Sequence, residues 1–240
     1  MDKIHYPGHK VLYENLQRFH NRSGSGSLVL ILPNEEMIHI PVRQLFLIRH
    51  GAVGPKGGGR FYGSTDLSLS DEGARQADVV ARKLASERIK GIFTSPLKRA
   101  RETARPVALI HFLSFRVMEG LREVNFGLWE GLSFSEIQAQ YPIECASWLA
   151  DPWSFSFPGG ESVSDFKSRV INSLEKVLRA EGDTVVLAHG GSIRVILSQA
   201  GGMPENEVFR FPLDHGGITV IELSAKGSKV KVINDTAHLH

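Results

Sequence analysis

Two histidines in this chain stand where a short apolar run gives way to glycine: Leu45-Phe46-Leu47-Ile48-Arg49-His50-Gly51 and Val185-Val186-Leu187-Ala188-His189-Gly190. Such runs read as strands buried on both faces. A charged pair at the exit of a buried strand is out of character, and the C-terminal edge of an open α/β sheet is where ligands bind. There the His50 imidazole can act as nucleophile or base, and the planar fork of Arg49 can hold an oxyanion. Gly51 lets the backbone turn sharply and approach a ligand. If both strands join one parallel sheet, His50 and His189 come side by side at a switch point.

More cations and a candidate acid lie between these two runs. Ser95-Pro96 reads as an N-cap followed by proline at the first helical position, with Lys98 and Arg99 in the next turn. Free helix N–H groups and the Arg99 guanidinium would then meet an anion together, whereas Arg101 and Arg105 read as solvent-facing. Glu123 falls in a glycine-punctuated aromatic loop, Leu121 to Gly131, where partial desolvation would let a carboxyl donate a proton near neutrality. The plainer alternative is a loop acid bonded to Arg122 or to backbone. After Gly51, residues 52–63 combine Gly54, Gly57, Gly58 and Gly59 with Lys56, Arg60 and Tyr62, a loop able to wrap an anion. It lacks the spacing of a P-loop or a dinucleotide fingerprint.

The elements that must position these groups follow from pattern. Ser70, with Asp71 and Glu72 behind it, opens a helix through Ala74, Ala77, Ala81 and Leu84. Strands are expected at Gly91–Thr94 and Phe115–Met118, and helices at Ser133–Gln140 and Glu144–Leu149. A capping box at Ser162 to Asp165 opens a helix with the face Val163, Phe166, Val170, Leu174 and Leu178. Strands at Gly217–Leu223 and Lys229–Asn234 close the chain. Residues 1–43 read as an N-terminal extension to a main domain at 44–240. The extension carries a flexible Ser-Gly linker at Ser23–Ser27 and a hairpin, Leu28–Leu32 with Met37–Ile40, that can extend a sheet edge or pack on a partner.

Composition narrows the function. Lys+Arg 28 against Asp+Glu 26 leaves no basic block for nucleic acid, so a small anion is the expected partner. The single cysteine, Cys145, excludes a disulfide framework and multi-thiolate metal sites. His5 and His9 have i, i+4 spacing but no companion ligand, so no metal and no cofactor are expected. No apolar run reaches membrane-spanning length and the first residues carry no signal-like core, which suits a cytoplasmic protein with no membrane partner. A homodimer is left open.

Taken in order, Arg49-His50-Gly51, Thr94-Ser95-Pro96-Leu97-Lys98-Arg99-Ala100, Leu121-Arg122-Glu123-Val124-Asn125-Phe126-Gly127 and His189-Gly190 resemble the histidine phosphatase superfamily, also called phosphoglycerate mutase-like, from about Gln44 to the C-terminus. The resemblance implies an α/β fold, a three-layer α/β/α sandwich with a mostly parallel central sheet. It also implies that His50 is the phosphorylated nucleophile, that Arg49, Arg99 and His189 bind the phosphoryl group, and that Glu123 protonates the leaving alcohol, with Gly190 beside His189 as a further substrate-binding candidate. Phe61-Tyr62-Gly63, the stretch Asn125–Gly131 and Pro158-Gly159-Gly160-Glu161-Ser162 look most like the alpha-ribazole phosphatase and broad-specificity phosphatase branches. Mutases of the family follow the first motif with an acidic or polar stretch leading to Trp-Asn, where this chain has Ala52-Val53-Gly54-Pro55-Lys56-Gly57.

The segment from Glu123 to Phe166 contains no lysine or arginine but all three tryptophans, Trp129, Trp148 and Trp153, with Phe134, Tyr141, Phe155 and Phe157. A lid of this kind suits an uncharged, flat leaving group, although several of these rings read as core. The expectation is therefore a metal-independent phosphomonoesterase acting on a small-molecule monophosphate such as alpha-ribazole phosphate. Lys56 and Arg60 are the groups able to reach a second anion. The alternatives are a cofactor-dependent phosphoglycerate mutase and a non-catalytic module that binds phosphorylated ligands.

Overall fold

The computed structural model describes residues 42–54, 59–224 and 227–240, together with the backbone of 28–31 and 37–40. The Ser23–Ser27 linker, His5, His9 and Lys56 lie outside the described residues. β1 (Leu28–Ile31) and β2 (Met37–Ile40) pair antiparallel as the expected hairpin, and they form a two-stranded sheet of their own rather than extending an edge.

The main sheet has the order β5-β4-β6-β3-β7-β8, from β3 (Arg43–Arg49), β4 (Ile89–Thr94), β5 (Phe115–Val117), β6 (Asp183–Ala188), β7 (Ile218–Ser224) and β8 (Gly227–Asp235). β3, β4, β5 and β6 run parallel, β7 is antiparallel to β3, and β8 is antiparallel to β7. Its centre is β3 and β6, and their side chains alternate between two cores. Leu45, Leu47, Val186 and Ala188 enter one core, and Phe46, Ile48, Val185 and Leu187 enter the other. This is the period of two that a doubly buried strand imposes, and it gives the three layers. One face is covered by α1 (Asp71–Leu84) and α2 (Lys98–Ile110), through residues such as Val80, Leu84, Ala104 and Val107. The other is covered by α5 (Val163–Leu178) and α6 (Gly190–Gln199), and by a lid that holds α3 (Phe134–Gln140) and α4 (Pro142–Ala150).

Local chemistry sets the ends of these helices. Ser70 caps α1, its Oγ accepting from the Gly73 N–H and donating to the Ala52 carbonyl. The Ser162 hydroxyl caps α5 by accepting from Asp165 N–H and donating to the Asp165 carboxylate. α2 begins at Lys98 with Leu97 in the capping position, so Ser95 is not its cap. A Cβ on Gly51 would lie 2.4 Å from the Gly73 carbonyl, and one on Gly73 would lie 2.1 Å from that of Ala52. The glycine after His50 is thus demanded by the close approach of α1, not by a ligand. Among the described residues no helix is long and apolar enough to cross a membrane.

Candidate active site

Because Arg49 pairs with Ala188 in the β3–β6 register, the residues that follow, His50 and His189, leave the sheet together. Their ring centroids are 5.1 Å apart. Gly51 O lies 2.7 Å from Nδ1 of His50, so in the neutral ring Nδ1 carries the proton and Nε2 keeps its lone pair. Arg99, fully buried in the first turn of α2, donates its Nε–H to His50 Nε2 at 3.2 Å and to His189 Nδ1 at 3.3 Å. On its far side His189 Nε2 meets the Ser95 hydroxyl at 2.8 Å. A hydroxyl can donate or accept, so Ser95 lets His189 present Nδ1 as an acceptor to Arg99 or as an N–H to an anion. That is the role of the residue expected to cap α2.

Arg49 is held by Nη1 on the Leu213 carbonyl, while its Nε is buried with no hydrogen-bond partner among the described residues. An orphaned buried donor of this kind is free to meet an incoming acceptor. Glu123 completes the cluster. Its carboxylate accepts from the Gly191 N–H at 2.9 Å, at the N-terminus of α6, and from the Val124 N–H at 3.0 Å. A Cβ on Gly191 would lie 2.3 Å from Glu123 Oε1, so only glycine leaves room for the carboxylate there. From α5, Arg169 donates to the carbonyls of Gly120, Arg122 and Glu123 and pairs with Glu161, pinning the segment that presents the acid.

Burial, followed by the fixed charges of Arg99 and Arg49, pushes His50 well below the ordinary imidazole range, and burial with the same two cations does so to His189. Both rings are neutral at working pH. Burial also lowers Arg49 and Arg99, but a guanidinium remains charged. The site is therefore two neutral imidazoles, two fixed cations and one acid around a single point.

Arg49, His50, Arg99 and Glu123 floor a cleft of ≈ 670 Å³, with His189 fully buried behind them. From the lid side the cleft is lined by Phe61, Tyr62 and Phe126, and from the α1 side by Ser70, Gln76 and His215. The sequence reading missed His215. Its ring centroid lies 5.2 Å from that of His50, and burial with the charge of Arg49 pushes its pKa down to about 3. Its ring nitrogens make no hydrogen bond among the described residues. The turn that bears it is tied to Arg49, whose carbonyl accepts from Gly216 N–H and whose N–H donates to the Gly217 carbonyl.

Arg60 lines the cleft, but its guanidinium is held by the Glu136 carboxylate and the Gly131 carbonyl. The expectation of a tryptophan-lined lid is corrected. Trp129 is fully buried and packs on Trp148, Phe155 and Phe157 at centroid distances of 5.7, 5.4 and 5.4 Å, while Trp153 packs on Phe209 and donates to the Glu205 carbonyl. Three tryptophans with long apolar bodies gain more from a shared core than from water. The rings that reach the cleft are Phe61, Tyr62 and Phe126 instead. No group of three or more His, Cys, Asp or Glu able to hold a metal occurs among the described residues.

A model of the histidine phosphatase superfamily, branch 1, matches residues 45–236. Phosphoserine phosphatase 1 of Hydrogenobacter thermophilus is 29% identical over 198 residues, covering 82% of this chain and 94% of that protein. Adenosylcobalamin/alpha-ribazole phosphatase of Escherichia coli is 26% identical over 197 residues, covering 81% and 97%. The crystal structure of the alpha-ribazole phosphatase from Shigella flexneri superposes with a TM-score of 0.70 at 26% identity, covering 80% of this chain and 96% of that one.

Proposed function

The chain belongs to the histidine phosphatase superfamily, branch 1, and from that premise we propose that it hydrolyses phosphomonoesters through a phosphohistidine on His50, without a metal. Its relatives hydrolyse phosphomonoesters, and this chain is a phosphatase of the same superfamily. The observation that carries the mechanism is the His50 Nδ1–H bond to the Gly51 carbonyl, which leaves Nε2 as the attacking atom. As Nε2 bonds to phosphorus, the phosphorus–oxygen bond to the alcohol breaks, and Glu123 passes a proton to the departing oxygen. Arg49, Arg99 and His189 take the equatorial oxygens, supplying the charge and positioning on which phosphoryl transfer depends. Water then attacks the phosphohistidine, the Glu123 carboxylate accepts its proton, and inorganic phosphate leaves with His50 neutral again.

The cleft supports a monophosphate whose remaining part is flat, hydroxylated and uncharged, such as alpha-ribazole phosphate. Aromatic rings on one side offer stacking, and the amide N–H groups of Gln76 and a neutral His215 on the other offer hydrogen bonds without charge. A zwitterionic phosphoamino acid would meet Arg60 and Glu72, but Glu136 and Arg75 already match those charges. A second phosphate or carboxylate would likewise lose its hydration, and the described cations of the outer cleft are committed elsewhere. Initial rates with phosphate release as readout test this. The expected order is alpha-ribazole phosphate and nucleoside monophosphates above phosphoserine and 3-phosphoglycerate in kcat/KM, with no mutase activity on added bisphosphoglycerate. A preference for phosphoserine, or interconversion of phosphoglycerates, would overturn the substrate class and leave the phosphohistidine chemistry standing.

A further inference from the structure

The guanidinium of Arg99 does not aim itself. Its Nη1 donates to the Thr65 carbonyl at 2.7 Å, and its Nη2 donates to the carbonyls of Tyr62 and Gly63 at 3.1 and 2.8 Å. Arginine has five N–H groups, so this loop takes three of them and leaves the Nε–H and one Nη1–H for the cleft. The direction of those two hydrogens is set by where the backbone of residues 62–65 stands.

That backbone is in turn gripped by one carboxylate. Glu130 Oε1 accepts from the N–H groups of Gly63, Ser64 and Phe126 at 3.1, 2.8 and 3.2 Å and from the Ser64 hydroxyl at 3.2 Å. Its Oε2 accepts from the Gly63 and Thr65 N–H groups at 3.2 and 3.3 Å and from the Thr65 hydroxyl at 2.5 Å. The fit leaves no slack, because a Cβ on Gly63 would lie 1.8 Å from the Val124 carbonyl and 2.7 Å from Glu130 Oε1. Burial alone would raise the Glu130 pKa, yet the bonds from Thr65, Ser64 and Phe126 outweigh it and hold the group below the usual carboxylate range. Glu130 and Arg99 also attract each other through their opposite charges.

We propose that Glu130 is a positioning residue for phosphoryl transfer: it fixes Gly63, Ser64 and Thr65 so that the carbonyls of this segment aim Arg99 at the phosphoryl group. The proposal rests on Arg99 as a phosphoryl ligand. Only a carboxylate suits the place. In Glu130→Gln one oxygen becomes an NH2, and either orientation turns donors toward the donors of Gly63 and Ser64 or of Thr65.

A double-mutant cycle tests it with four full-length proteins: wild type, Glu130→Gln, Arg99→Ala and the pair. Each is assayed for p-nitrophenyl phosphate hydrolysis and for inorganic vanadate binding by calorimetry. Folded Glu130→Gln should lose about tenfold in kcat/KM and about fivefold in vanadate affinity, whereas in the Arg99→Ala background the same change should cost less than about twofold in either. Wild-type values in folded Glu130→Gln, or the full loss repeated without Arg99, would overturn the proposal. If Glu130→Gln does not fold, Thr65→Val, which removes only the 2.5 Å contact, should show the same Arg99-dependent loss at about two- to threefold. Unchanged behaviour of that variant would equally overturn it. If the wild type itself shows no turnover, the phosphatase mechanism fails, and the vanadate affinities alone decide the role of Glu130.

Discussion

Arg99 Nε stands 3.2 Å from His50 Nε2 and donates its hydrogen to it, so the nucleophile's lone pair and one guanidinium N–H face the same point. In the proposed mechanism a phosphoryl oxygen arriving there takes the N–H and frees the lone pair for phosphorus, so that binding and activation of His50 are one event.

Arg99→Lys should therefore fail despite keeping the charge. An ammonium cannot hold the carbonyls of Tyr62, Gly63 and Thr65 while also serving both imidazoles. We expect a loss of about a hundredfold in kcat/KM for p-nitrophenyl phosphate, from a raised KM and a lowered kcat together. Activity close to that of the wild type would show that charge alone suffices at this position.

The buried imidazoles give the fold an acid weakness. His50 and His189 are lowered well below 6.5, and His215 to about 3, so each is neutral in the native state where the unfolded chain binds a proton. The unfolded state thus binds more protons below pH 6.5, and stability present above that value is lost as pH falls toward the folded values. His215→Asn removes one of these protons. Its urea-unfolding free energy should decline less steeply between pH 6.5 and 4, by up to about 1.4 kcal/mol per pH unit. An unchanged slope would mean that His215 is protonated in the folded protein.

Much of this site was legible in the sequence because its central residues sit at strand ends and helix starts. His50 and His189 follow β3 and β6, and Arg99 lies in the first turn of α2, where element type alone fixes position. His215 was not legible, since Asp214-His215-Gly216 enters the antiparallel strand β7 from a turn whose shape depends on Arg49 and Asn234. The direction of loop side chains was equally hidden. Glu130 and Glu123 share one loop, yet one carboxylate binds residues 63–65 and the other faces α6. The aromatic lid was misread because composition counts rings without saying which are buried. Phe61 shows the difference, packing edge-on against Phe126 and Trp148 while also lining the cleft.

Glu123→Gln separates proton donation from binding. An alkyl phosphate needs its leaving oxygen protonated, whereas nitrophenolate hardly does, so the alkyl substrate should slow by at least about tenfold more than the aryl one. Equal slowing would make Glu123 a structural ligand of the Gly191 and Val124 N–H groups and nothing more.

The central claim is a covalent bond to one nitrogen. Enzyme treated with EDTA, mixed with a labelled aryl phosphate and quenched in alkali within milliseconds, should carry label that is stable in base and released by acid, as a phosphoramidate is. Peptide mapping should place it on His50, and His50→Ala should carry none while turning over less than about a thousandth as fast. Undiminished turnover with no trapped phosphohistidine, or label on His189 instead, would contradict the account.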